Sequence, residues 1–224
     1  MNPLDRPIWS ALATRQAQFA RGTPPALAYR SDVEPFAATA SDDPATLEAL
    51  SSLFVPGDNL LLIQLDPSPL LPGLDLVSEA VGVQMVSKQL LEQPQTPNVF
   101  PLDDEDAPEM RALAELTRPG PFRTSTHKLG QFWGIRDEGR LVAMAGERMK
   151  IPGMSELSGV CTHPDWRGHG YARLLSAFVT SQIQRRGETP FLHAYADNRA
   201  AISLYEALGY TTRCEVAVQS FGRL

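Results

Sequence analysis

The chain has 224 residues, 43% hydrophobic and 21% charged, which is enough apolar material for one large or two small globular units and is unlike a disordered segment. Its 26 acidic and 20 basic residues leave a formal net charge of −6. That balance argues against nucleic acid, whose phosphates call for a basic face, and leans toward a cationic acceptor. Two cysteines, Cys161 and Cys214, with no CxxC around them, argue against a disulfide scaffold. The first residues lack the basic-then-apolar order of a signal peptide. The longest apolar stretch, 60–65, is far short of the roughly 20 residues of a bilayer span. A soluble, cytoplasmic protein with no membrane partner is expected.

In chain order, residues 9–21 and 44–54 carry helix-like patterns, and 59–65 and 80–86 strand-like ones. Ser41, Asp42 and Asp43 ahead of Pro44 resemble a helix start. Residues 1–92 are expected to form a small α/β domain with no evident chemistry. The stretch 91–101, LEQPQTPNVFP, is the expected linker, because its prolines interrupt regular structure. A second domain is expected over 95–224. It opens with a helix at 103–116, acidic in its first turn as the helix dipole favours. Strands follow at 132–135 and 141–145, joined by a turn containing Gly139, and another at 156–162. After the loop 163–170 comes a helix with apolar Tyr171, Leu174, Leu175, Phe178, Val179 and Ile183, spaced i, i+3, i+4, i+7, i+8, i+12. A strand at 190–196, a helix at 198–208 stopped by Gly209, and a strand at 211–218 complete the chain.

The strand, glycine-bearing loop and helix start around 157–172 form a natural anion site. The first turn of a helix has amides without intrahelical partners, and the macrodipole is positive there. Gly168 and Gly170 allow close backbone approach, and Arg167, with Arg173 if it points outward, adds positive charge. Taken alone, this run fits a tight turn before an amphipathic helix equally well. It is neither a Walker loop nor a dinucleotide fingerprint.

Two motifs decide the context. Arg167-Gly168-His169-Gly170-Tyr171-Ala172 matches the R/Q-x-x-G-x-G/A signature of the GNAT acetyltransferase superfamily. Asn198 to Tyr210, NRAAISLYEALGY, resembles that family's N-x-x-A-x-x-L-Y-x-x-x-G-F/Y pattern at every defined position. The chain is therefore identified as a member by resemblance over about 95–218. That implies an α/β GNAT fold, a mixed and mainly antiparallel sheet flanked by helices and splayed at the cofactor site. It also implies acetyl-CoA as acyl donor, no metal, and an amine on a small molecule or peptide as acceptor.

By the same resemblance, the strand holding Gly159, Val160, Cys161 and Thr162 would pair with the pantetheine arm. The loop amides of Arg167, Gly168, His169, Gly170, Tyr171 and Ala172 would take the pyrophosphate. Asn198 would contact the cofactor arm. Tyr205, seven residues on and so on nearly the same helix face, would protonate the departing thiolate. Glu156 resembles the position of the base in several such enzymes, with Glu147 as a substitute; a solvated carboxylate at a strand end is the competing reading. A base, or a water chain to one, matters because an amine of pKa near 10.4 is neutral about once in 2,500 molecules at pH 7, a cost of about 4.6 kcal/mol. His163, His169 and His193 fit no zinc spacing, and Cys161 has no base beside it for covalent catalysis. Arg185 and Arg186 read as a solvated helix end.

Members of the family usually carry two strands after the second motif, and here one fits. The other could be shortened, drawn from the first half, or donated by a partner in a homodimer. The first half could itself be a degenerate GNAT-like unit, as in proteins resembling glycine N-acyltransferase. A non-catalytic acyl-CoA-binding or sensor module is the alternative function. The acceptor loops, expected at 119–129 and the chain end, contain Phe122 and His127 and, with Trp133, identify no substrate.

Overall fold

The computed structural model describes residues 2–94 and 98–223. The first segment comprises α1 (Pro7–Leu12), β1 (Ala20–Thr23), β2 (Ala26–Tyr29), β3 (Ala37–Thr39), α2 (Pro44–Ser51), β4 (Leu60–Gln64) and β5 (Asp75–Ser87). Next come β6 (Phe100–Leu102), α3 (Ala107–Thr117), β7 (Phe132–Asp137), β8 (Arg140–Ile151) and β9 (Met154–Thr162). The final part holds α4 (Tyr171–Arg185), β10 (Thr189–Tyr195), α5 (Arg199–Glu206) and β11 (Tyr210–Gly222).

Strands β1, β2 and β3 make a small sheet of their own, while the other eight form one sheet in the order β4-β11-β5-β10-β9-β8-β7-β6. Every neighbouring pair in the large sheet is antiparallel except β9 and β10, which run parallel. The strand missing after the second motif thus comes from the first half: β5 lies between β10 and β11, and β4 extends the sheet beyond β11. The two segments separated by the stretch near 92–95 therefore share this sheet.

The helix expected over 9–21 ends at Leu12. Beyond it, the buried amide of Gln16 donates to the carbonyls of Leu129 and Arg148 and accepts from Tyr29 Oη and the Lys150 amide. Four bonds to an enclosed amide hold the chain out of a helical path, since leaving such a group unpaired is costly. Of the expected linker, residues 95–97 lie outside the described residues. Phe100–Leu102 is an edge strand on β7, where Pro101 costs the sheet little.

The two faces of the large sheet bury different cores. One packs α1 and the small sheet, through Ile8, Leu12, Phe36, Met149 and Phe191. The other packs α4 and α5, through Leu175, Val179, Ile183, Leu192 and Ile202. Buried side chains of this kind stabilise by about 1.5–3 kcal/mol each. They fix α4, and with it the loop at its head, against β8 and β9.

Candidate active site

Strands β9 and β10 pair only at Thr189–Met154, Pro190–Ser155 and Phe191–Glu156, then diverge. On its other side β9 stays with β8 as far as Ala143–Thr162, across a register shift beside Gly159. Gly159 has φ +63°, and a Cβ there would come within 2.8 Å of the Phe132 ring. That combination calls for glycine at the bulge. Residues 157–162 therefore present one strand edge to an opening in the sheet. At its end, Thr162 Oγ1 is buried with no hydrogen-bond partner among the described residues.

The loop below this edge is open to solvent. His163 Nδ1 accepts from the Asp165 amide across the short turn Pro164–Trp166. Arg167, Gly168, His169 and Gly170 are exposed, and the helix starts at Tyr171 with no side-chain cap over its first amides. His169 stacks on Tyr171 with ring centroids 5.5 Å apart. A polar strand edge ending in exposed amides at a helix N-terminus, with Arg167 beside them, fits the amides and pyrophosphate of an acyl-CoA. Cys161 belongs to a core cluster, and burial pushes its thiol up to about 11, so the side chain packs while its backbone lies on the open strand.

Through the splay runs a cleft of about 200 Å³. On the α5 side it is lined by Val160, Asn198, Ala201 and Tyr205, and on the opposite face by Phe36, Leu61, Ile63 and Val218. Asn198 caps α5, its Oδ1 accepting from the Ala201 amide at 3.2 Å, while its side chain also borders the cleft. Tyr205 packs edge-on to Tyr210, and its hydroxyl has no hydrogen-bond partner among the described residues. Burial, helped by the charge of Glu156, raises it to about 12, so it carries its proton at working pH. The sequence pairing of Asn198 with Tyr205 is thus realised as one wall of the cleft.

Glu156 differs from its expected role. It is fully buried on the face opposite α5 rather than solvated at a strand end. Arg148 Nε and Nη2 each donate to it at 3.0 Å, His193 Nδ1 lies 2.9 Å away, and the Met149 amide donates as well. Burial alone would raise its pKa, but Arg148 and His193 outweigh burial and hold it at about 2. A carboxylate this weakly basic is a poor proton acceptor. Glu147, also buried, pairs with Arg186 at 2.6 Å and Lys150 at 3.3 Å and does not line the cleft. Arg186 is accordingly more than a solvated helix end.

Two cleft residues escaped the sequence reading in this role, Arg148 and His193. The register shift between Glu147 and Lys150 in β8 sets Arg148 against Glu156, and strand alternation puts His193 on the same face as Phe191. His193 Nε2 lies 3.0 Å from the Gln84 amide, so both ring nitrogens are engaged. The loop 119–129 does reach the cleft, through Pro119, Gly120 and Pro121, whereas Phe122 packs on Phe132, His127 pairs with Asp104, and Trp133 packs on Phe178. Among the described residues no three His, Cys, Asp or Glu side chains converge on a metal-sized site. Nor is any helix there long and apolar enough to cross a membrane.

The fold recurs in known proteins. The family model of FR47-like proteins matches residues 132–218, which span the splayed strands, the loop and both motif helices. A GNAT-family protein from Novosphingobium aromaticivorans is 38% identical, with all of both chains covered and a TM-score of 0.94. A GCN5-related N-acetyltransferase from Kribbella flavida shares the fold at 23% identity, TM-score 0.63, over 96% of this chain and 95% of that one. A GCN5-related N-acetyltransferase-like protein from Streptococcus suis does so at 16% identity, TM-score 0.61, over 96% and 92%. No curated protein matches the chain.

Proposed function

Since the chain belongs to the GNAT acetyltransferase family, by identity along its full length to the Novosphingobium protein, we propose that it moves an acetyl group from acetyl-CoA directly to an amine. The observation that carries this reading is the splay of β9 from β10, with the open loop at the head of α4 on one side and Tyr205 on the cleft wall. Bound acetyl-CoA would supply an activated thioester. The backbone of Val160, Cys161 and Thr162 would orient the arm, and the amides from Arg167 to Ala172 would bind the pyrophosphate. Tyr205, protonated and without a competing partner, would donate its proton to the leaving sulfur.

Among the described residues lining the cleft, none is a free base. Glu156 is ion-paired and both His193 nitrogens are occupied, so the amine reaches the thioester already neutral or loses its proton through water. That lack of a base also favours one second reading, a module that binds acyl-CoA without turning it over. The experiment is to incubate purified protein with acetyl-CoA and a panel of amines, following free thiol. Acceptor-dependent release that falls about 100-fold in Tyr205→Phe supports transfer with Tyr205 as acid. Release untouched by the mutation removes that role, and tight CoA binding without release selects the sensor.

A further inference from the structure

The lining of the cleft is at odds with the charge of the chain. Net charge is −6 over the whole sequence, yet among the described residues no aspartate or glutamate lines the cleft, and two arginines, Arg118 and Arg148, do. Arg148 is held in one orientation. Its Nε and Nη2 are spent on Glu156, and its guanidinium lies 4.7 Å from the Phe36 ring centroid. The remaining nitrogen, Nη1, is turned toward the Gly120 side of the cleft and has no hydrogen-bond partner among the described residues. Arg118 ends α3 with φ +51° and stands exposed at the cleft mouth, its side chain likewise unpaired among the described residues. Pro119, Gly120 and Pro121 carry the chain from Arg118 across the cleft.

Neither arginine serves the pyrophosphate loop. Arg148 belongs with Phe36 and Glu156, on the sheet face opposite α4 and α5. One other carboxyl, Glu34, is near enough to influence Arg148, but it makes no hydrogen bond to it and does not line the cleft. Burial pushes Glu34 up to about 8, which keeps it largely protonated at neutral pH, so Glu156 is the carboxylate that pairs with Arg148 and Nη1 is the donor the cleft meets. Beside these cations the wall is apolar: Phe36, Leu61, Ile63 and Val218. The volume of about 200 Å³ is small against the roughly 300–1,000 Å³ of pockets for drug-sized ligands.

We propose that the acceptor is a free amino acid with an apolar side chain, its carboxylate held by Arg148 Nη1 and Arg118 and its side chain laid against Phe36, Leu61, Ile63 and Val218. This rests on the transfer reading above and narrows its acceptor. The amino nitrogen attacks the thioester carbonyl, forming the new N–C bond as the C–S bond breaks. The thiolate takes a proton from Tyr205, and the amine's surplus proton leaves to water and restores the tyrosine.

The test measures thiol release from acetyl-CoA with leucine, leucinamide, 3-methylbutylamine and spermidine, compared per neutral amine because the four differ in basicity. Charge-assisted hydrogen bonds to a carboxylate lead us to expect kcat/KM for leucine at least about tenfold above those for leucinamide and 3-methylbutylamine. Arg118→Gln, an exposed substitution that spares the core, should shrink that ratio several-fold and raise KM for leucine more than for acetyl-CoA. Equal or better turnover of leucinamide, 3-methylbutylamine or spermidine would overturn the carboxylate site and leave transfer standing. Absence of thiol release with every amine would sink the transfer reading, and this acceptor with it.

Discussion

Replacing Glu156 with glutamine separates a structural carboxylate from a catalytic one. The pair with Arg148 is enclosed, with side-chain exposures of 1% and 9%, so removing the negative charge leaves a guanidinium buried without its counter-ion. Two routes give the size of the effect. Breaking one partner of a buried pair costs about 3–5 kcal/mol. Lowering the carboxyl from 4.5 to about 2 corresponds to about 3 kcal/mol, at about 1.4 kcal/mol per tenfold change in proton affinity. Because the folded pKa lies below the unfolded one, this stabilisation is present above about pH 4.5 and is lost as pH falls toward 2. Glu156→Gln should therefore lower Tm at pH 7 by roughly 6–20 °C, at 2–4 °C per kcal/mol for a chain of this size. Its deficit should narrow as both proteins are brought toward pH 2. Thermal unfolding followed by circular dichroism across that range makes the comparison. An unchanged Tm with abolished turnover would refute the argument, since the carboxylate would then be acting on the substrate.

The remaining predictions concern the thiol, the loop and the pH profile. Cys161, pushed up to about 11, should resist iodoacetamide in the folded protein, and Cys161→Ala should retain turnover; loss of activity would mean a covalent acyl-enzyme. Gly170→Ala forces a side chain into φ +77°, costing about 1–2 kcal/mol, at a point where an added Cβ meets no protein atom within 4 Å. Affinity for CoA measured by calorimetry should weaken about tenfold, and unchanged affinity would remove this loop from the site. Glu156 at about 2 and Tyr205 at about 12 both titrate outside the working range. From pH 7 to 9, kcat/KM should therefore rise by up to tenfold per pH unit until the acceptor's own pKa is passed, with no fall before Tyr205 begins to ionise. A falling limb near pH 8 would show another essential acid.

What could be read in the sequence was mostly local. The helix at Tyr171–Arg185 announces itself by its period, and the second motif carries Asn198 and Tyr205, which stand on one wall of the cleft. The position of β5 could not be read that way. Its first half is largely exposed and its second half buried without alternation, so periodicity gives no hint that it sits between β10 and β11. The environment of Glu156 was hidden for a related reason. Spacing places the carboxylate on a strand, but only the irregular pairing of β8 with β9 brings Arg148 to it, and pairing register is a long-range property. The early end of α1 has the same origin, because Gln16 is held by residues more than a hundred positions away.

The place of β5 also bears on synthesis. Its partners in the sheet are made last: β10 begins at Thr189 and β11 ends at Gly222, while β5 is complete at Ser87. During translation the strand must therefore wait, with buried-face residues such as Val83 and Met85 uncovered, until more than a hundred further residues have emerged. A chain that closes its sheet this late folds slowly and exposes an adhesive edge meanwhile, so protection of the nascent strand by a chaperone bears directly on its yield.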